Sequence, residues 1–191
     1  MNRRHLLQLL ATTMAGPAIL ANTAFAAADP RPVHIPAAAG KKGKIGEGDI
    51  HFKLNSQQTS GLMGTTESVL PPGLLGAPPH SHKGFDEICR VLEGTLTIMV
   101  GDEVFKVNAG DWHLRPRGIV HTFWNDGKVP AKFIEICAPG GHEAYMSELS
   151  ELFVNNARPK PGDLDKLATK YDIAFDWPKL PVVMQKYGVH L

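Results

Sequence analysis

Cysteine is nearly absent from this chain of 191 residues: Cys89 and Cys137 are the only two, too few for a disulfide framework. A surplus of charge is also missing, because 20 Lys and Arg face 19 Asp and Glu and leave a formal net charge of +1. With no Lys/Arg-rich run to compensate, a nucleic-acid binder that works through a basic surface is excluded. No repeat of solenoid period occurs. Nor is there an uninterrupted apolar stretch of about 20 residues, the length a spanning helix needs, since Pro17 breaks the apolar N-terminal segment. What remains is 43% hydrophobic and 20% charged, a folded globular composition long enough for one compact domain. Nineteen glycines and fifteen prolines imply many turns, as in an all-β fold, and nine histidines are the unusual feature.

The first residues combine a charged start (Arg3, Arg4), an apolar middle and a small-residue end, Ala24-Phe25-Ala26-Ala27-Ala28, the three parts of a secretory signal. The adjacent arginines followed by Leu6 and Leu7 resemble a twin-arginine export signal, Ser/Thr-Arg-Arg-x-Phe-Leu-Lys, from which Asn2, Leu6 and Gln8 depart. An ordinary secretion signal and a retained anchor are the alternatives. The expectation is a signal over 1–26, export to the periplasm and no stable membrane insertion after processing. Residues 27–48 lack periodicity and read as an N-terminal arm.

From 49 to 141, short β-prone segments alternate with turn residues. Strands are expected over 50–54, 61–70, 87–92, 95–100, 103–107, 112–114, 120–124 and 132–136. Gly101-Asp102 between two apolar runs signals a tight hairpin. Strands spaced this closely, with no helix between them, predict a sandwich or barrel. Beyond Pro139-Gly140-Gly141 the apolar period becomes helical, over 144–153 and again over 163–171, with Asp163 as the expected N-cap. These helices, within a C-terminal region of 142–191, are read as packing on the barrel rather than as part of a site. The last stretch, 176–191, is open between strand and tail.

His80 and His82 are two apart, so on an extended segment both rings project to one side. Glu87 follows across the Lys83-Gly84 turn, and His121 lies after the Pro116-Arg117-Gly118 corner. Three imidazoles and a carboxylate suit one divalent transition metal (Mn, Fe, Co, Ni, Cu or Zn) with positions left for water or substrate. His113 is either a pocket-lining or an ordinary strand residue. His34, His51, His142 and His190 show no partner pattern, and His5 leaves with the signal.

The spacing His80-x-His82-x4-Glu87-x6-Gly94, then Gly110-x5-Pro116-x-Gly118-x2-His121-x3-Asn125, resembles the two motifs of the cupin superfamily. The departure is the leading glycine of the first motif, replaced by Leu74 with Gly73 one residue earlier. The stretch from about 61 through the following helices resembles the small single-domain cupins of quercetin-dioxygenase type. The resemblance implies a jelly-roll barrel with short C-terminal helices, metal ligands at His80, His82, Glu87 and His121, a structural Asn125 and a homodimer. It also implies that Glu87 can act as a catalytic base when off the metal.

Alternation from Glu87 turns Cys89 and Val91 inward, and from His121 it brings Phe123 and Asn125 to the same side. Cys89 and Cys137, on strands that neighbour in a jelly roll, are either a cross-strand disulfide or two buried thiols. Glu135 reads by default as a solvent-facing charge, with an interior acid/base role as the alternative. Arg115 and Arg117 are placed on a turn, and Trp112 and Trp124 are candidate interface anchors. The leading functional expectation is an oxidoreductase of dioxygenase type acting on a small organic, aromatic or flavonoid-like substrate. The alternatives are a non-redox isomerase or decarboxylase using the metal as Lewis acid, and a non-enzymatic periplasmic ligand-binding protein. Charged residues lining the pocket would favour the non-redox enzyme.

Overall fold

Period-two burial organises the chain. The computed structural model describes residues 31–191, so the expected signal and its cleavage point lie outside the described residues. The strands are β1 (Lys42–Ile45), β2 (Gly48–Phe52), β3 (Gly64–Leu70), β4 (His80–His82), β5 (Asp86–Glu93), β6 (Thr95–Val100), β7 (Glu103–Asn108), β8 (Trp112–Arg115), β9 (His121–Trp124), β10 (Ala131–Ala138) and β11 (Ile173–Phe175). The helices are α1 (His142–Glu151), α2 (Pro161–Lys170) and α3 (Lys179–Tyr187). In β3 and β10 every second side chain is buried, the signature of strands with one face on a core.

Two antiparallel sheets result, ordered β1-β2-β3-β10-β5-β8 and β11-β4-β9-β6-β7, in the jelly-roll arrangement expected. Between them lies a core that includes Leu70, Val91, Leu96, Ile98, Phe123 and Phe133. Its turns depend on backbone chemistry at defined points. Gly94, between β5 and β6, has φ +72°, and a Cβ there would stand 2.7 Å from the Pro130 carbonyl oxygen. Gly118, at φ +79°, donates its N–H to the His82 carbonyl at 2.7 Å and ties the second motif to the first. Asn125 is structural as expected: its amide donates to the Leu70 and Val129 carbonyls and accepts from the Gly127 N–H, each at 2.9 Å.

Several expectations are corrected. Residues 42–45, within the stretch read as an arm, form β1 by pairing with β2. The strand expected from 61 begins at Gly64, because Ser60 and Gly61 both have positive φ and turn the chain. Asp163 sits inside α2 rather than at its cap, where its carboxylate accepts the Lys160 backbone N–H at 3.1 Å. The open stretch 176–191 contains α3, and His190 bridges to Leu74. Among the described residues no helix is long and apolar enough to cross a membrane.

Trp124 is the clearest correction. It is fully buried, under α3, with its ring 4.3 Å from that of Tyr187, and it shares a cluster with Leu75, Val183 and Val189. Only Trp112 of the two candidate anchors is exposed, at 59%. Accordingly, Trp124→Ala should cost about 3–5 kcal/mol of unfolding free energy through the cavity it leaves. Trp112→Ala, which gives up only a ring beside Arg90, should cost about 1 kcal/mol or less. Urea denaturation of both variants checks the contrast.

Candidate metal centre

The cluster draws one donor from one sheet and three from the other. His80 and His82 flank Ser81 on β4 and are buried while Ser81 is half-buried, so both rings enter the barrel. His121 opens β9, directly opposite His80 in the β4–β9 pairing. Glu87 arrives from β5 in the facing sheet. One ligand atom from each of the four lies within 4.8 Å of the others, and all four side chains are buried. The structure therefore brings together the complete set expected from spacing.

Hydrogen bonding fixes which ring nitrogens are free. His80 Nδ1 and His121 Nδ1 each lie 2.9 Å from a carbonyl oxygen, of Pro78 and Ile119 respectively. A carbonyl only accepts, so each Nδ1 carries the proton and each Nε2 keeps its lone pair. The His82 ring stacks on Phe85 at 3.7 Å between centroids. Both its nitrogens, and His121 Nε2, are buried without a hydrogen-bond partner. An orphaned buried polar atom costs about 1–3 kcal/mol, and a cation among these atoms would satisfy them together. Burial, followed by the neighbouring His121, lowers the His80 pKa to about 3, which keeps its imidazole neutral and able to donate a lone pair. The residues fit a divalent metal.

Around Glu87 lies a charge network that motif spacing does not indicate. Its Oε1 is 3.3 Å from His82 Nε2 and 3.6 Å from His142 Nε2. Its Oε2 is 3.0 Å from Arg115 Nη1 and 3.6 Å from His121 Nε2. Burial opposes ionisation of Glu87, but the Arg115 guanidinium and the His121 and His82 imidazoles outweigh it and hold the carboxyl well below its usual range. Arg115 also bonds Glu135 through Nη2. Burial raises the Glu135 pKa, with Arg115 opposing.

Three readings change here. Arg115 is not on a turn: it ends β8, is 1% exposed, and stands 5.0 Å over the Phe123 ring inside the barrel. Glu135, expected to face solvent, is buried on the inner face of β10, on the side of Phe133 and Cys137. His142, set aside for want of a pattern, enters from the first residue of α1, its ring 4.7 Å from Phe85 and 6.2 Å from His82. Arg115 is opposite Glu87 in the β5–β8 pairing, a match between distant segments, and no local signal marks either Arg115 or His142. Arg117 is exposed and pairs with Asp86 at 2.9 Å. His113 is half-buried against Phe105, apart from the cluster. Cys89 and Cys137, both inward, are free thiols; burial pushes the Cys89 thiol up to about 12. A narrow cavity of about 40 Å³ reaches Glu135, Phe123 and Phe133.

Residues 66–137 match the cupin domain family. Endoribonuclease YbeY of Myxococcus xanthus is 35% identical over 93 residues, 49% of this chain and 28% of that protein. Germin-like protein subfamily T member 2 of Arabidopsis thaliana is 37% identical over 81 residues, 40% of this chain and 36% of its own. The matches thus span less than half the length of these two curated relatives. Among solved structures, KdgF from a Halomonas species superposes with a TM-score of 0.52 at 15% identity, over 60% of this chain and 99% of KdgF, which shows the shared fold.

Two outcomes follow. A divalent metal should raise the melting temperature of the wild-type protein more than that of His82→Ala, and elemental analysis should find that variant short of the ion the histidines hold; unchanged occupancy would refute the ligand set. Arg115→Ala should destabilise the metal-free protein by about 3–5 kcal/mol, because it leaves Glu87 and Glu135 buried without their cation. Denaturant melts measure this, and added metal should restore part of the loss by taking Glu87.

Proposed function

We propose that this chain, a cupin jelly roll with a buried His/Glu cluster, is a metal-dependent enzyme acting on a small organic acid. In this reading His80, His82, Glu87 and His121 hold one divalent transition metal, and Arg115 receives the negative charge of the substrate. When bound, the metal supplies Lewis acidity and open coordination positions. The observation that carries the reading is Arg115: a guanidinium 1% exposed inside the barrel, beside the cluster, with its Nε unpartnered.

Arg115 is held between two carboxylates. If Glu87 serves as a ligand, the donors of Arg115 that face it become available to a substrate carboxylate, and the planar fork orients that group. Glu135, its pKa raised by burial against the pull of Arg115, can hold a proton at its carboxyl and exchange it with the substrate. Glu87 would act as base when off the metal. Phe123 and Phe133, with ring centroids 5.5 Å apart, form an apolar wall of the barrel interior beside Arg115.

Charged groups lining the interior, Arg115 and Glu135 beside the cluster, favour the non-redox isomerase or decarboxylase over the dioxygenase expectation. The dioxygenase reading keeps one support, a histidine-rich donor set able to leave positions for oxygen.

Turnover of a panel of small hydroxy, keto and dicarboxylic acids and of flavonols, with product detected by NMR and oxygen uptake recorded, tests the reading. An acid should be converted without oxygen consumption, and Arg115→Lys should raise its KM by about tenfold, the worth of a charge-assisted bond. Oxygen-consuming turnover of an uncharged flavonol would overturn it in favour of the dioxygenase.

A further inference from the structure

A second set of metal donors adjoins the first. Cys137 lies directly opposite Glu87 in the β10–β5 ladder, so the two side chains leave the sheet on the same face. His142 follows five residues later, where the Pro139-Gly140-Gly141 segment ends and α1 begins, and so reaches the same carboxylate. One ligand atom from each of Glu87, Cys137 and His142 lies within 4.8 Å of the others, and all three residues are buried.

None of these atoms is spoken for in a way that excludes a cation. Cys137 is a free thiol, 5% exposed. His142 is 9% exposed, and its Nδ1 is buried with no hydrogen-bond partner. Its Nε2 stands 3.6 Å from Glu87 Oε1, too far for a hydrogen bond. Its ring is fixed by Phe85 at 4.7 Å and Tyr145 at 5.3 Å. Metal–donor distances of about 2.0–2.3 Å place two donors on one tetrahedral ion roughly 3.3–3.8 Å apart, so side-chain rotations that draw the trio together by about 1 Å would bring it onto one ion.

We propose that Glu87, Cys137 and His142 form a second metal position, joined to the His80/His82/His121 set through the Glu87 carboxylate. The sulfur, nitrogen and oxygen donors select a borderline, thiolate-tolerant divalent ion, Zn²⁺ above Mn²⁺. As the sulfur–metal bond forms, the thiol S–H bond breaks and its proton leaves to solvent, with no change in oxidation state. The carboxylate, which has two oxygens, serves both ions, as in paired-metal sites. This position would exist whatever reaction the first ion supports; only Glu87 is shared between the two.

Cobalt(II) titration of the metal-free full chain under reducing conditions separates the positions. Wild type should bind a second equivalent, and a near-ultraviolet thiolate-to-cobalt charge-transfer band should grow with it. Cys137→Ser should lose the band and the second equivalent while keeping the first, and His142→Ala should weaken the second by about tenfold or more. Cys89→Ser and His82→Ala should both keep the band. No band in wild type, a band surviving in Cys137→Ser, or a band lost in His82→Ala would each overturn the second position. X-ray absorption on the zinc-loaded wild type gives an answer that needs no variant: a sulfur shell at about 2.3 Å supports the proposal, and its absence refutes it.

Discussion

A carboxylate with 3% of its surface exposed sits between the two sheets, and the interior of this protein is organised around keeping it charged. Burial alone would drive Glu87 to the neutral acid. Arg115 at 3.0 Å prevents that, and the same guanidinium is shared with Glu135. The three form an unequal triad in which one cation serves two acids. The burial that raises Glu135 leaves Glu87 depressed, because Glu87 also has the His82 and His121 imidazoles at 3.3 and 3.6 Å. A cation among the histidines would shift the balance: Glu87 gains a second partner, and Arg115 is drawn less strongly to it.

The strands supply this geometry with few degrees of freedom. β4 is only three residues long, yet it is paired on both sides, by β9 and by β11, so the His80 and His82 rings cannot turn outward without breaking a ladder. β10 lies between β3 and β5 and presents Phe133, Glu135 and Cys137 on one face at period two. The apolar floor and the polar upper part of the barrel are therefore successive side chains of the same strand.

Most of the barrel was legible because its signals are local. The strands read over 61–70 and 132–136, the Gly101-Asp102 hairpin, and the inward placement of Cys89, Val91 and Phe123 follow from residue type and strand period alone, with the first strand starting late at Gly64. The spacing of His80, His82, Glu87 and His121 was enough to collect them into one cluster. What stayed hidden depends on contacts between distant segments. Arg115 ends a strand instead of opening a turn because its charge is matched by Glu87 across the ladder, a pairing no window of sequence contains. Glu135 shares the inner face with Phe133 and Cys137 by alternation, but only its contact with Arg115 accounts for a charge there. His142 is carried in by helix docking, and Trp124 is covered by α3, whose apolar face is too short a pattern to announce its target.

The pairing of β4 with β11 bears on the order in which the chain acquires its site. His82 lies opposite Ile173, and His80 opposite Phe175, more than ninety positions later in the chain. During synthesis the histidine-bearing strand therefore waits, with one edge unpaired, until residues 173–175 have emerged. Closing so long a loop is slow, as it is for other topologies rich in distant contacts. The donor cluster is accordingly among the last parts of the molecule to mature, and a nascent chain stalled before residue 173 would carry His80, His82, Glu87 and His121 on a sheet not yet closed around them.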